Sequence, residues 1–293
     1  MANLKEVRNR IRSIISTQQI TKAMKMVAAS KLRKAQDSIL QMRPYAEKLN
    51  SILQNVVQAT GQTVSSPYAE EREINRVLII AITSDRGLCG AFNSNVLKKV
   101  RATVAADYQE FADHNDLFIL PVGKKAHDFF RKRDYQIIDD YWDLLSNPSY
   151  EKAREVSEFA MESFVIGEFD KVLIVYNEFK NVASQVLRVD HFLPLVEEES
   201  ENSEDHLNYI FEPTQKNIVQ ELIPQSLHIQ FYKSVLESVA AEHGARMTAM
   251  DQATDNAEDL LGDLRITYNR SRQAVITKEL NEIVGGAQAL EQG

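Results

Sequence analysis

QSLHIQFYKSVLESVAAEHGARMTAMDQATDNAEDLLGDLRITYNRSRQAVITKELNEIVG, residues 225–285, contains no proline. Met247, Met250, Ala257, Leu261, Leu264, Tyr268 and Val275 recur along it at a and d spacing, with Thr254 and Ser271 completing the seam. That periodicity predicts one helix with a partner along one side. At 1.5 Å rise per residue its 61 residues span about 90 Å. A compact globule of 293 residues is roughly 50 Å across. The helix is therefore either broken or leaves the globule as a shaft. Ala245, Ala249 and Ala253 are small enough to let a second helix approach closely.

The N-terminus supplies a matching stripe. Steps of 3.5 residues from Leu4 pass through Val7, Ile11, Ile14, Gln18, Thr21, Lys25, Ala28, Leu32, Ala35, Ile39, Met42, Ala46, Leu49, Leu53 and Val56, and thirteen of the sixteen positions are apolar. The three polar ones, Gln18, Thr21 and Lys25, are consecutive, while Ile20, Met24 and Val27 form a displaced stripe. The seam is expected to shift there and turn that surface toward something else. Asn3 followed by Glu6 predicts a capping box at the helix start. Pro44 predicts a kink or a second helix, because it removes a backbone donor and crowds the preceding turn. Met24, Met26, Met247 and Met250 read as packing residues of the helix pair.

Both striped helices flank one central region and join it by their inner ends, so they are expected to run antiparallel, with both free ends at the far tip. From Asn3 to Arg43 the first helix spans about 60 Å and is the shorter. The C-terminal tip is then left without a helical partner. Its sequence LNEIVGGAQAL, residues 280–290, has one acid and no base and suits a smooth apolar sleeve.

Between the helices, RVLIIAIT, residues 76–83, is a continuous β-branched run, the mark of a strand buried on both faces. Further strands are expected at 117–122, 135–141, 171–177 and 184–192, and helices at 93–112, 124–133 and 149–166. This alternation predicts an open, mostly parallel, Rossmann-like sheet with helices on its faces. The fold class is therefore α/β, a long antiparallel coiled coil of the terminal helices joined to that sheet. Domain boundaries fall at 1–60, 70–212 and 213–293. TGQTVSSP at 60–67 and the acidic EEESENSED at 197–205 read as solvated loops, and YIFEP at 209–213 leads into the last helix.

Composition narrows the function classes. The chain is 44% hydrophobic and 8% aromatic, enough for a packed core. Its longest uninterrupted apolar run, Val77 to Ile82, is far too short to span a bilayer, and the N-terminus has no signal-peptide core. A single Cys89 excludes an internal disulfide and a cysteine-based metal cluster. The net charge is −8, but residues 1–44 carry ten Lys or Arg against Glu6 and Asp37, so this arm is +8 and the remainder −16. Such an arm fits a solvated helix face, an acidic protein partner or a nucleic acid.

Candidate chemistry is sparse. SDRGLCGAFN, residues 84–93, is a Gly-containing strand-to-helix junction of the kind that can cradle phosphate. Gly87 and Gly90 give GxxG, however, rather than the dinucleotide GxGxxG, and no Lys-Ser or Lys-Thr follows as in a P-loop. The glycines read as turn formers and Cys89 as a small packing residue. His114, His127, His191, His206, His228 and His243 never take the i, i+4 spacing of a helical metal site. No catalytic residue, cofactor or metal is nominated.

Three stretches taken together, ITKAMKMVAASKLRKAQ (Ile20 to Gln36), SDRGLCGAFN and ITKELNEIVGGAQA (Ile276 to Ala289), closely resemble the gamma subunit of the F-type ATP synthase, in order and over the whole chain. The resemblance implies a central rotor shaft whose coiled coil turns inside three alpha and three beta subunits, above an epsilon subunit and a membrane-embedded c-ring. It implies no catalysis in this chain, because ATP is made and hydrolysed in the beta subunits. Carried over by motif, Arg272, Gln273, Thr277 and Glu279 resemble the catch that grips a beta-subunit loop, and Lys22, Met24 and Lys25 the face met by the beta lever. The basic arm is then a collar for an acidic lever rather than a nucleic-acid site. The absence of a transit-like N-terminus leads to the expectation of a peripheral protein on the cytoplasmic face of a bacterial plasma membrane. The acidic tract is not part of the family's shared pattern, and no cysteine pair is present for thiol regulation. The competing reading is a Rossmann-like nucleotide-dependent enzyme with a coiled-coil oligomerisation arm.

Overall fold

The computed structural model describes residues 4–60, 66–133, 135–182, 184–195 and 215–291. The expected Asn3 cap, most of the polar loop after Thr60, the acidic tract and the YIFEP segment lie outside the described residues. In chain order the elements are α1 (Leu4–Thr60), β1 (Val77–Ile82), α2 (Phe92–Asp107), α3 (Gln109–Asp113), β2 (Leu117–Val122), α4 (Lys124–Phe130), β3 (Gln136–Ile137), α5 (Tyr150–Val165), β4 (Lys171–Phe179), β5 (Gln185–Leu193) and α6 (Gln215–Glu291). They fall into two compact units, Met1–Val27 with Met247–Gly293, and Ala28–Arg246.

The larger unit holds a five-stranded sheet in the order β3-β2-β1-β4-β5. β1 pairs in parallel with β2 and β4, β2 pairs in parallel with β3, and only β5 is antiparallel. Every β1 side chain is fully buried, so both faces of this central strand must be covered. Leu78, Ile80 and Ile82 point into a core completed by Val156, Ala160 and Phe164 of α5 and by Leu227, Phe231 and Val235 of α6. Val77, Ile79 and Ala81 meet Val96, Val100 and Val104 of α2 and Ala126 and Phe130 of α4. Burying each large side chain of this kind contributes about 2 kcal/mol. The same unit also packs Leu32 and Ala35 of α1 against Ala240 of α6.

Several expectations needed correction. Pro44 begins no second helix, since α1 is assigned as one helix of 57 residues through it; α6 likewise runs 77 residues from Gln215 through Pro224. The carbonyls that these prolines cannot bond belong to Leu40 and Gln220, residues on the exposed face of each helix, the side on which water can take the place of a missing donor. The expected strand over 135–141 is only two residues long. Beyond it the chain turns away through Asp139, whose carboxylate lies 2.8 Å from His127 Nε2, and aspartate is disfavoured in strands. The helix expected over 93–112 divides at Tyr108, a buried residue with an extended φ of −137°.

Gly123 shows how tightly the sheet layer is closed. It has a φ of +103°, and a Cβ placed there would lie 2.4 Å from the Thr83 carbonyl oxygen. Gly123→Ala is expected to cost about 3 kcal/mol of folding free energy through strain and steric overlap. Urea denaturation of the two proteins measures this, and an unchanged midpoint would contradict it.

Candidate functional site

The smaller unit is an antiparallel helix pair whose register is legible from three contacts. Arg8 Nη2 donates to the Tyr268 hydroxyl at 3.5 Å, the Thr21 and Thr254 hydroxyls hydrogen-bond at 2.8 Å, and Lys25 forms an ion pair with Asp251. As residue numbers rise along α1 they fall by nearly equal steps along α6. Val7 packs within this unit, as do Met250, Ala257, Leu261 and Leu264, so the apolar seam is the one read from periodicity.

Its polar break differs from the expectation. The seam does not shift: Thr21 and Thr254 stay buried within it, and Gln18 and Lys25 are half-buried. Ile20 and Val27 are more than half exposed. The physical reason is mutual satisfaction. A hydroxyl can occupy a buried seam when a second hydroxyl faces it, whereas an unpaired one would cost about 1–3 kcal/mol. Met26 is exposed and does not pack in the pair, while Met250 is buried and Met24 and Met247 are half-buried.

The register also fixes where pairing ends. Leu4, the first described residue of α1, falls opposite about position 272 of α6. From Arg272 to Ala287 every residue of α6 is exposed. Arg272, Gln273, Thr277 and Glu279 all lie on this stretch, together with exposed Ile276, Leu280, Ile283 and Val284. Lys22 is exposed and Met24 half-buried, whereas Lys25 is drawn to Asp251 on the neighbouring helix.

In the junction at residues 84–93, which lies in the larger unit, Ser84 is bonded within the loop. The Ser84 N–H donates to Asn93 Oδ1 at 2.8 Å, and Ser84 Oγ donates to the Arg86 carbonyl at 2.6 Å. The adjacent N-terminus of α4 is occupied as well: Lys124 N–H reaches Asp85 Oδ1, Lys125 N–H the Ser84 carbonyl, and Ala126 N–H Thr83 Oγ1. The crevice between the C-terminal ends of β1 and β4, where a doubly wound sheet would seat a nucleotide, is filled by protein. Asn177 Nδ2 donates to the Phe92 carbonyl at 3.3 Å, Cys89 and Phe92 pack on Ala241, and the Phe179 ring lies where a Cβ on Gly244 would come within 3.3 Å. Among the described residues no group of three His, Cys, Asp or Glu side chains could hold a metal ion.

The family model described as ATP synthase matches residues 3–290. The chain is 52% identical to the ATP synthase gamma chain of Cytophaga hutchinsonii, over 99% of each chain. The chain belongs to the ATP synthase gamma-chain family. It is also 50% identical to the family member of Christiangramia forsetii over 99% of both chains. Solved structures agree in fold. A chain of the Euglena gracilis mitochondrial ATP synthase (OSCP/F1/c-ring, rotational state 3) superposes with a TM-score of 0.65 at 22% identity, covering 99% of this chain and 95% of its own. A chain of the Tetrahymena thermophila mitochondrial ATP synthase (central stalk/c-ring) gives 0.57 at 24% identity, covering 80% of this chain and 99% of its own.

Within this gamma-family fold, sequence reading missed a clasp that holds the junction to α6. Arg246 Nη2 donates to the carbonyls of Arg86 and Gly87 at 3.1 and 3.3 Å, while Nη1 pairs with Glu242 one turn back. Both side chains are nearly buried, 11% and 12% exposed. Burial pushes the Glu242 carboxyl above its usual range against the pull of Arg246. His243 is pushed down to about 4 by burial first, then by the charges of Arg246 and Lys31, in keeping with Arg246 Nη1 facing His243 Nδ1 at 3.5 Å. An i, i+4 Glu–Arg pair is visible in sequence, but the loop carbonyls it reaches are 159 and 160 residues away.

Arg246→Ala removes the cation and leaves Glu242 buried without it, so it is expected to destabilise the fold by about 3 kcal/mol, and Glu242→Gln combined with Arg246→Met by less. Denaturation of the two variants and the parent measures both. His243 binds its proton more readily in the unfolded chain than in the folded one, so its contribution is complete above the ordinary pKa near 6.5 and is lost as pH falls toward about 4. His243→Gln is therefore expected to flatten the decline in stability between those pH values, and parallel pH curves for parent and variant would contradict this.

Proposed function

We propose that this chain is the central rotor shaft of an F-type ATP synthase, coupling ion-driven rotation of a c-ring to conformational cycling of beta-subunit catalytic sites, and that it has no catalytic residue of its own. The observation that carries the reading is the bare end of α6: after a tightly registered antiparallel pair, the helix continues from Arg272 with every described side chain exposed. In a free protein, exposed Ile276, Leu280, Ile283 and Val284 would be a solubility liability. As the end of an axle inside a ring of subunits they are a bearing surface.

The partners in this reading are three alpha and three beta subunits around the helix pair, with an epsilon subunit and the c-ring at the globular region. Arg272, Gln273, Thr277 and Glu279 grip a beta-subunit loop, and Lys22, Met24 and Lys25 form the face met by the beta lever. The working divisions are a shaft helix at 1–60, a globular region at 70–212 and a second shaft helix at 213–293. No described helix is long and apolar enough to cross a membrane. That fits peripheral attachment through the c-ring, at the cytoplasmic face of a bacterial plasma membrane.

Rotation transmits free energy only if the shaft contacts different beta conformations unequally. The +8 arm at residues 1–44 supports such contact with an acidic lever. Each exposed charge pair contributes only a few tenths of a kcal/mol, roughly, which suits a part that must let go and turn.

Mixed with alpha and beta subunits, the chain is expected to form a stable complex with multi-site ATPase activity. A hexamer that turns over equally fast without the chain would overturn the reading. Arg272→Ala and Gln273→Ala are expected to lower that activity while shifting the stability of the isolated chain by less than about 0.5 kcal/mol, because both residues are exposed.

A further inference from the structure

The Thr21–Thr254 and Lys25–Asp251 contacts are not what an antiparallel pair needs for stability alone. Valine would occupy the volume of either threonine, yet two hydroxyls, 8% and 6% exposed, face one another across the seam at 2.8 Å. Only one of them can donate across, and the other is left to donate back into its own helix, from Thr254 to the Met250 carbonyl at 2.7 Å or from Thr21 to the Gln18 carbonyl at 3.0 Å. One turn along, Lys25 and Asp251 are 39% and 48% exposed, so water screens much of their attraction. The buried neighbours Val7, Met250, Ala257, Leu261 and Leu264 are apolar and choose poorly between registers one heptad apart. Polar seam residues do choose, because a wrong register strands them.

We propose that this polar layer is the register lock of the helix pair, and that Thr21, Lys25, Asp251 and Thr254 are positioning residues that set where along the axis Arg272, Gln273, Thr277 and Glu279 stand. The second half of the statement rests on the rotor reading above. The observed register is the one in which both contacts close together. The earlier part of α6 is held in the sheet core, so a seven-residue slip within this pair is taken up by local unwinding of the helix and moves its tip about 10 Å. In the direction that keeps an acid, Glu258, opposite Lys25, Thr21 meets Leu261. In the other direction Thr21 meets Met247 and Lys25 faces no carboxylate. Lys25 thus acts through Asp251 rather than only through a partner subunit.

Two measurements test this on the full chain. Spin labels on Ser13→Cys and Asp263→Cys, exposed positions across the pair, are expected to report one short distance in the parent. Adding Thr21→Val with Lys25→Asp is expected to bring in a second, longer distance. Retention of the single short distance would overturn the lock. In the complex with alpha and beta subunits, Lys25→Asp and Asp251→Lys alone are each expected to lower ATPase activity, and the reciprocal swap to restore it, with a coupling of roughly threefold or more. A swap that stays as impaired as Lys25→Asp would show that a partner reads Lys25 directly and would overturn the positioning role. A parent chain that gives no ATPase stimulation at all counts against the rotor reading alone, since the spin-label comparison does not depend on it.

Discussion

A strand with no exposed side chain must be covered on both faces, and β1 is such a strand. Helices α2 and α4 are drawn from the local βα connections and cover one face. For the other, α5 alone is not enough, and the layer is completed by Leu227, Phe231 and Val235 of α6. The first part of the longest helix is therefore a core element of the sheet unit. Its later part belongs to the helix pair, so a single hydrogen-bonded helix serves both units. A rotor needs torque to pass along a continuous element, and the burial demand of β1 anchors one end of that element in the sheet.

Polar groups divide into three uses. Around the junction they tie the loop down: Asn93, Asp85 and Thr83 accept from the backbone N–H groups of Ser84, Lys124 and Ala126, and Arg246 donates to the Arg86 carbonyl. In the seam they set position, through Thr21 with Thr254 and Lys25 with Asp251. On the tip from Arg272 onward they meet no other helix among the described residues, and Lys278 pairs only with Glu282 on its own helix, at 3.6 Å.

Much of this was legible in the sequence. The buried run at 77–82, the alternation of strands and helices, and the heptad stripes of both terminal helices are local patterns repeated often enough to survive single exceptions. The misreadings fell where one residue was asked to decide. Pro44 does not end the helix, which is held by buried residues on both sides of it, Leu32 and Ala35 before and Leu49 after. Periodicity scores each helix alone, so Thr21 and Lys25 look like part of a shift, whereas their hydroxyl and carboxylate partners, Thr254 and Asp251, lie more than 220 residues away.

Most element types, the two-sided burial of the central strand and the membership of both terminal helices in one pair are legible in the chain alone. These follow from side-chain spacing along a single segment, which the backbone geometry of helix and strand converts directly into faces. The register of the pair, the closing of the nucleotide crevice by Phe92, Phe179 and α6, and the point at Arg272 where α6 runs beyond the described part of α1 emerge only in three dimensions. Each of these depends on which atoms meet across the pair or across the sheet, and a one-heptad slide would leave every stripe intact while moving the tip about 10 Å.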